Sequence, residues 1–490
     1  MTVRTRFAPS PTGYLHVGGI RTALFAYLVA RQSGGQFILR LEDTDKKREV
    51  VGSAEHLISS LKSLGLQYDE GPDIGGPYTP YKQSDRLESY QRWARELIEA
   101  GRAYADPYTP QEMQAFRDSA QAEKRPFLYR DHRPESPPVW DGSQPLRFKS
   151  EPKEYHWHDE VMGDLVARPE NIDDFVLIKS DGYPTYDFAH IIDDAEMHIT
   201  HVIRGQEFIS SMPKYLNLYE ALGFGMDRST GNNESGQDRQ LPIFAHMPHI
   251  LNEQGNKKLG KRDGAKDVLD YIRDGYLPEA LDSFIATMGW NDGSEQEVFT
   301  MDELIAKFSL ARVQRSGARF DEKRLLWVNG HFIRELPLEE LSVRAEFFWP
   351  ECAKNADESY KSHVLALAQD RLKTLKDLPS LTAYFFEEPR ENRSLIADNK
   401  QLSKLTPDEI SQILQAAHDK FTKLEHWSSE AIQDALNELL DECGQKPAVI
   451  FGLIRIATTW AQFSPQLNDT LALFGRETTL QRLQTTMHTE

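Results

Sequence analysis

The 490 residues predict an α/β nucleotide-binding domain that carries an inserted α+β segment and is followed by an all-helical C-terminal region. Three observations carry that prediction. A strand-like run, Val3 to Phe7, leads through the glycine-bearing turn His16-Val17-Gly18-Gly19 into a periodic helix and a second strand, Phe37 to Leu41. A proline-rich, mixed stretch then interrupts the alternation of strand and helix signals. Beyond about Thr300, strand signals become sparse while helix-start signals recur.

In the opening unit, Ile20, Leu24 and Leu28 recur at i, i+4 and i+8, so one helical face is apolar and can pack on a sheet. Gly34-Gly35 offers the helix stop. The first N–H groups of a helix lack intrahelical partners and carry partial positive charge, which makes such a turn a cradle for phosphates. Gly18 and Gly19 are expected to let a bulky ligand reach the backbone, and His16 to add a donor. A Gly-Gly helix start alone serves equally well as a tight packing turn. The approach Phe7-Ala8-Pro9-Ser10-Pro11-Thr12-Gly13 and the histidine favour the phosphate reading. The turn is neither a P-loop, lacking Gly-Lys-Ser/Thr, nor a Gly-x-Gly-x-x-Gly fingerprint. Strand, turn, helix, strand opens a parallel, Rossmann-type unit, expected over residues 1–86 and 184–225.

The inserted segment is expected over residues 87–183. It contains a helix start at Thr109-Pro110-Gln111-Glu112 and the stretch Arg133-Pro134-Glu135-Ser136-Pro137-Pro138. Strand signals resume at Phe175 to Ile178 and Thr200 to Ile203, and Asp227 to Gln240 reads as a polar surface loop. A further domain is expected over 226–335. Thr300-Met301-Asp302-Glu303 and Thr406-Pro407-Asp408-Glu409 both resemble capping boxes. The region 336–490 is expected to be helical, as two subdomains split near residue 394, without repeats or heptads.

A chain of this length predicts roughly three to five domains. Hydrophobic residues at 39% and charged residues at 27% fit a folded enzyme rather than a disordered chain. No stretch reaches the roughly 20 apolar residues of a membrane span, and Met1-Thr2-Val3-Arg4 enters the first strand without a signal-peptide core. Cys352 and Cys443 suggest neither a disulfide framework nor a thiolate metal site, so a cytoplasmic protein is expected. The net charge of −19 does not exclude a polyanionic partner, because the local field decides. Basic clusters occur at Lys257-Lys258, Lys261-Arg262, Arg312 to Arg324 and Arg371 to Lys376.

The segment Asn256-Lys257-Lys258-Leu259-Gly260-Lys261-Arg262-Asp263-Gly264 is a glycine-flanked basic loop. Such a loop can bend over a triphosphate and neutralise it with lysine ammonium groups. Together the two motifs resemble the HIGH-type turn and KMSKS-type loop of class I aminoacyl-tRNA synthetases. The chain is most similar to the bacterial-type glutamyl subfamily. Matching pieces are Arg6 to Gly19, Arg40-Leu41-Glu42-Asp43-Thr44-Asp45, Tyr81-Lys82-Gln83-Ser84-Asp85-Arg86 and Ser180-Asp181-Gly182-Tyr183-Pro184-Thr185-Tyr186. Val202-Ile203-Arg204-Gly205-Gln206-Glu207, Phe320-Asp321 with Trp327-Val328-Asn329, and Leu471-Ala472-Leu473-Phe474-Gly475-Arg476-Glu477, similar to the family's last helix, extend the match along the chain.

The resemblance implies that ATP activates glutamate to glutamyl-adenylate, and that a terminal ribose hydroxyl of glutamate tRNA then takes the glutamyl group. It places Pro9, Thr12, Gly13, His16, Gly18, Gly19, His249, Ile250, Lys258, Leu259, Gly260, Lys261 and Arg262 around ATP. His16, Lys258 and Lys261 would be catalytic, Lys261 at the departing pyrophosphate. Mg²⁺ is expected to arrive with ATP, on few or no dedicated protein ligands. Arg6, Ala8, Ser10, Glu42, Tyr186, His190 and Arg204 are placed around glutamate. The paired arginines would take the side-chain carboxylate, and Glu42 and Ser10 the ammonium. The inserted segment would hold the acceptor end of the tRNA, the 226–335 domain its stem, and the helical region the anticodon, with Arg371 reading its third base.

Three departures from the family pattern stand out. His190 occupies a position expected to carry asparagine, Gly260 replaces the usual serine, and Tyr104-Ala105-Asp106-Pro107-Tyr108 lacks the cysteines of relatives that carry zinc. No structural zinc is therefore expected, Asp43-Thr44-Asp45 is read as a turn rather than a metal site, and a monomer is expected. The competing readings are a truncated relative that modifies aspartate tRNA, a glutaminyl enzyme with a β-barrel C-terminus, and a catalytically dead paralogue. The long helical C-terminal region opposes the first two, and intact His16 and Lys258 oppose the third.

Overall fold

The computed structural model describes residues 2–225, 240–260 and 266–488. Lys261, Arg262 and most of the 227–240 loop lie outside the described residues. The chain divides into two compact units, Met1–Asp270 with Leu281–Asp321, and Tyr271–Ala280 with Glu322–Glu490.

In the first unit, β1 (Arg4–Phe7), α1 (Val17–Gln32) and β2 (Gln36–Leu39) form the expected opening, with the two strands parallel and paired from Arg4–Gln36 to Phe7–Leu39. Ile20, Leu24 and Leu28 are buried, and so is Phe25 on another face of α1, where it packs against Phe308. α1 is thus covered on more than the face that its periodicity marks. After α2 (Ser53–Ser63) and α3 (Leu87–Glu99) come β3 (Ala103–Ala105), α4 (Pro110–Ala122), β4 (Leu146–Phe148), β5 (Tyr155–Asp159), β6 (Gly163–Ala167) and β7 (Val176–Ile178). α5 (Tyr186–Glu196), β8 (His201–Gly205), α6 (Met212–Ala221), β9 (Ile243–Met247) and β10 (Ile250–Leu251) follow.

The main sheet runs β2-β1-β8-β9-β5-β6. Its β2, β1, β8, β9 and β5 pair in parallel, while β6 closes an antiparallel hairpin with β5. Strand order reverses between β1 and β8, the switch point at which open parallel sheets hold ligands at the carboxyl ends of their strands. The hairpin at 155–167 falls within the segment 87–183 yet extends this sheet. β3, β4 and β7 make a separate antiparallel sheet.

The second unit is helical. Helices 407–422, 429–443, 447–459, 467–474 and 476–488 enclose a core that includes Leu414, Phe421, Leu436, Ile450 and Leu453. The motif Leu471–Glu477 straddles the junction of the last two helices, with Gly475 at φ +82° between them, rather than lying in one helix. Both expected capping boxes form, at Thr300 with Glu303 and Thr406 with Glu409, and the expected helix start at Thr109 closes as another with Glu112.

Candidate active site

A cavity of about 540 Å³ opens at the carboxyl ends of β1, β8 and β9. Pro9, Ser10, Thr12, Gly13, His16, Gly18, Gly19, His249, Ile250, Lys258 and Leu259 line it. The structure therefore gathers the two separated motifs around one space. His16 is the N-cap of α1, and its Nδ1 accepts the Gly18 N–H at 3.2 Å. Its extended backbone turns the chain into the helix while the imidazole stays exposed.

The glycines also meet a steric demand inside the motif. A Cβ on Gly18 would meet the His16 ring at 3.2 Å, and one on Gly19 would meet Leu15 Cδ1 at 2.6 Å. They make room for the motif's own side chains, so a ligand's approach is not the only reason for a small residue there.

The basic loop leaves β10 and folds back on it. Asn252 N–H donates to the Lys257 carbonyl at 2.9 Å, and Leu259 N–H to that of Ile250 at 2.8 Å. This return brings Lys258 Nζ to 3.3 Å from Glu207 Oε1. Partial burial opposes charge on Glu207, but a backbone hydrogen bond, Lys258 and His249 outweigh it and hold the carboxyl below its ordinary value. Arg21, which sequence reasoning missed, also lines the cavity. It donates to the carbonyls of Met288 and Pro248, and burial lowers its pKa to about 10.

A second cluster involves neighbours of the cavity wall. Phe7, Gly205 and Met247, which line the cavity, adjoin Arg6, Arg204 and His246 in sequence. Arg6 is buried and grips Asp194 with Nε at 3.1 Å and Nη2 at 3.3 Å. Arg40, wholly buried, donates to Asp194 at 2.8 Å and to Glu42 at 2.9 Å. Burial opposes charge on Asp194, yet Arg6 and Arg40 hold its carboxyl well below the usual range. Glu42 goes the other way: burial outweighs Arg40 and pushes its carboxyl up to about 7. The Gln83 amide and Arg86 Nε hold Asp193 at 2.8 and 2.7 Å, so the motif around residues 81–86 is a structural clasp on α5.

Arg204 differs from Arg6. Among the described residues, no carboxylate lies within ion-pair distance of it. Its Nε donates to His246 Nε2 at 3.1 Å, its Nη1 meets His190 Nε2 at 3.2 Å, and its Nη2 contacts Met212 Sδ at 3.0 Å. The guanidinium lies over the rings of Phe208 and Tyr215, and Tyr186 stacks on His190 at 4.8 Å. Ala8 and Ser10 lie just past β1, with Ser10 exposed.

Elsewhere, Arg371 is exposed after helix 358–369, and its charge adds to burial in lowering the pKa of Arg455. Asn329, from the matched motif, is buried and ties Leu277 N–H to the Lys373 carbonyl at 2.8 and 2.6 Å. In the β3 segment, Tyr104 hydroxyl donates to Asp174, while Tyr129 hydroxyl and Arg147 Nε both donate to Asp106. Asp43 accepts from Ser84 and Lys46, and Asp45 from Arg48.

This combination of a parallel sheet, a histidine-capped turn and a returning basic loop defines a class I synthetase. Residues 2–327 match the family of class I tRNA synthetases (E and Q), catalytic domain, and residues 338–487 match an anticodon binding domain. The chain belongs to that synthetase family. It is 37% identical to a glutamate–tRNA ligase of Clostridium kluyveri, covering 98% of this chain and 97% of that protein. It is 39% identical to glutamate–tRNA ligase 1 of Fervidobacterium nodosum, covering 98% of each. A crystal structure of a glutamate tRNA ligase from Elizabethkingia meningosepticum in complex with its amino acid superposes with a TM-score of 0.85, at 31% identity over 100% of both chains.

Proposed function

We propose that this chain is a glutamate–tRNA ligase. It activates L-glutamate with ATP and transfers the glutamyl group to the 3′-terminal ribose of glutamate tRNA. The observation that carries the reading is the pairing of a phosphate-type cavity, between α1's N-terminus and the Lys258 loop, with a buried arginine that has no carboxylate partner among the described residues. One end suits a triphosphate and the other an acidic side chain.

Catalysis here is positioning and charge stabilisation. His16 and the first N–H groups of α1 face the phosphates. Lys258 exchanges Glu207 for phosphate oxygens, and Lys261 follows the pyrophosphate out. The cavity wall offers Glu207 as its one carboxylate among the described lining residues. That donor set suits Mg²⁺ brought in by the triphosphate rather than a resident ion. Arg204 takes the side-chain carboxylate, with Tyr186 and His190 beside it, and Glu42 with Ser10 takes the ammonium. Arg6 supports this pocket through Asp194.

Arg371 reads the anticodon. The hydrogen bonds of Tyr104, Asp106, Tyr129 and Arg147 around the β3 segment suit a fold that calls for no structural zinc there. The two separated cysteines suit the cytoplasm, and the chain is taken to act as a monomer.

The test is charging of glutamate and glutamine tRNA transcripts with labelled glutamate, alongside pyrophosphate exchange with and without tRNA. Strong charging of glutamate tRNA, weaker charging of glutamine tRNA and tRNA-dependent exchange are expected. No charging with glutamate would overturn the reading.

A further inference from the structure

Arg204 is 5% exposed, and such a buried guanidinium is ordinarily neutralised by a carboxylate, because an uncompensated charge in a low-dielectric interior is costly. Here the register of the main sheet supplies something else. Arg204 on β8 lies directly opposite His246 on β9, and the neighbouring β5 ends at Asp159. Cross-strand neighbours on one face touch, and His246 Nε2 sits 3.1 Å from Arg204 Nε.

An arginine N–H only donates, so His246 Nε2 must be the accepting nitrogen and the proton of its ring must sit on Nδ1. That proton has a partner. Nδ1 lies 2.6 Å from Asp159 Oδ2, and the other oxygen of Asp159 accepts the N–H groups of Val161, Met162 and His246 at 3.1, 2.9 and 3.2 Å. Asp159 and His246 are both 0% exposed, so this tautomer is built into the core.

His190 repeats the arrangement from the other side. Its Nδ1 donates to the Tyr186 carbonyl at 2.8 Å, which leaves Nε2 to accept from Arg204 Nη1. Each Nε2 accepts from Arg204 and so carries no proton, which makes both rings neutral, and burial lowers the pKa of both, that of His190 to about 3.

Building on the ligase reading, we propose that His246, keyed by Asp159, and His190 are positioning residues that fix the Arg204 guanidinium with neutral acceptors and so keep its charge available to select a side-chain carboxylate over an amide. Two imidazoles can orient the planar fork without cancelling its charge. The bound carboxylate then supplies the missing counter-charge, which a glutamine amide does not. Arg6, by contrast, shares the carboxylate of Asp194 with Arg40, whereas Arg204 has no carboxylate partner among the described residues.

The discriminating pair is His190→Glu and His190→Gln, which reach similarly and differ in charge. H190E places a carboxylate against Arg204, so its KM for glutamate in tRNA charging should exceed that of H190Q by about thirtyfold, while its melting temperature is equal or higher. KM for ATP should agree within about twofold between the two variants. A second pair guards against misfolding of the first: His246→Leu removes the acceptor and His246→Gln retains one. H246L should raise KM for glutamate by about thirtyfold over H246Q, with little separation in KM for ATP. Equal glutamate KM values within either pair of folded variants would overturn the role given to the imidazoles. Failure of the unaltered enzyme to charge any tRNA with glutamate would instead overturn the ligase reading.

Discussion

The two ends of the candidate site are built on opposite terms. At the nucleotide end, His16 and Lys258 are exposed, His16 caps its own helix, Lys258 meets the half-exposed Glu207, and a helix N-terminus supplies the field. At the amino-acid end, Arg6, Arg40, Arg204, Asp193 and Asp194 are buried; Arg6 and Arg40 reach Asp194, and Arg86 reaches Asp193, across more than a hundred residues, while Arg204 is held by His190, Met212 and, across the sheet, His246. The exposed end tolerates loose positioning because a ligand completes it. At the buried end each charge must already be met or deliberately left unmet.

The sharpest way to break this comparison is to remove a shared counter-charge at the buried end. Asp194 serves Arg6 and Arg40 together, so Asp194→Ala leaves two buried guanidinium groups short of a partner. Losing one partner of a buried pair costs about 3–5 kcal/mol, and denaturant unfolding should show a loss of that order. A loss below about 1 kcal/mol would mean that the cluster is hydrated and energetically like a surface network. No comparable loss is expected from Lys258→Ala, whose ion pair with Glu207 is solvent-exposed.

That contrast also explains how much of the site was legible in the sequence. The strand-turn-helix opening, the helix start at Thr109, the capping boxes at Thr300 and Thr406 and the helical C-terminal region follow from local signals, and they form as expected. That His16, Gly18 and Lys258 belong to one candidate site was legible because they sit in short motifs whose chemistry is visible without a fold, and the structure brings them to one cavity. Asp159, His246 and Asp194 were not, because their roles depend on sheet order and cross-strand register. β5 joins β9 across nearly ninety residues, and no local pattern encodes that. The signals that were present are a histidine closing the apolar run Ile243-Phe244-Ala245 and the adjacent Asp193-Asp194 directly after the apolar pair Ile191-Ile192. Each is an expensive residue in a buried place, and each marks a partner still to be found. The glycines of the first motif show the converse limit. Their identity was legible, but the neighbours they spare, His16 and Leu15, lie in contacts visible only after folding.

A pH profile sharpens the comparison further. Glu42 belongs to the buried end, and its carboxyl loses its proton only near pH 7. If Glu42 meets the substrate ammonium, only its ionised form binds well. KM for glutamate should therefore fall about tenfold between pH 6 and 8 in charging assays, and Glu42→Gln should flatten that profile. The stability effect has the opposite sign. Between the ordinary glutamate range and pH 7 the folded chain holds a proton that the unfolded chain has released, so Glu42 makes stability decline as pH rises through that window. A KM independent of pH would remove Glu42 from the ammonium.

The smallest expected effect separates the two glycines at the exposed end. A Cβ on Gly18 must share space with the His16 ring at 3.2 Å, and that ring caps α1 by accepting the Gly18 N–H. Displacing it by a few tenths of an ångström weakens a cap worth about 1 kcal/mol and turns the imidazole from the phosphates. Gly18→Ala should thus lower kcat/KM for ATP by about tenfold at a stability cost of about 1 kcal/mol. A Cβ on Gly19 meets the end of Leu15, a buried side chain that can move only by disturbing its packing. Gly19→Ala should cost stability first, about 1–3 kcal/mol, with ATP kinetics following the folded fraction. If both substitutions instead reduced ATP use and left stability untouched, the glycines would be serving the ligand's approach, and the steric role of His16 and Leu15 would be incidental.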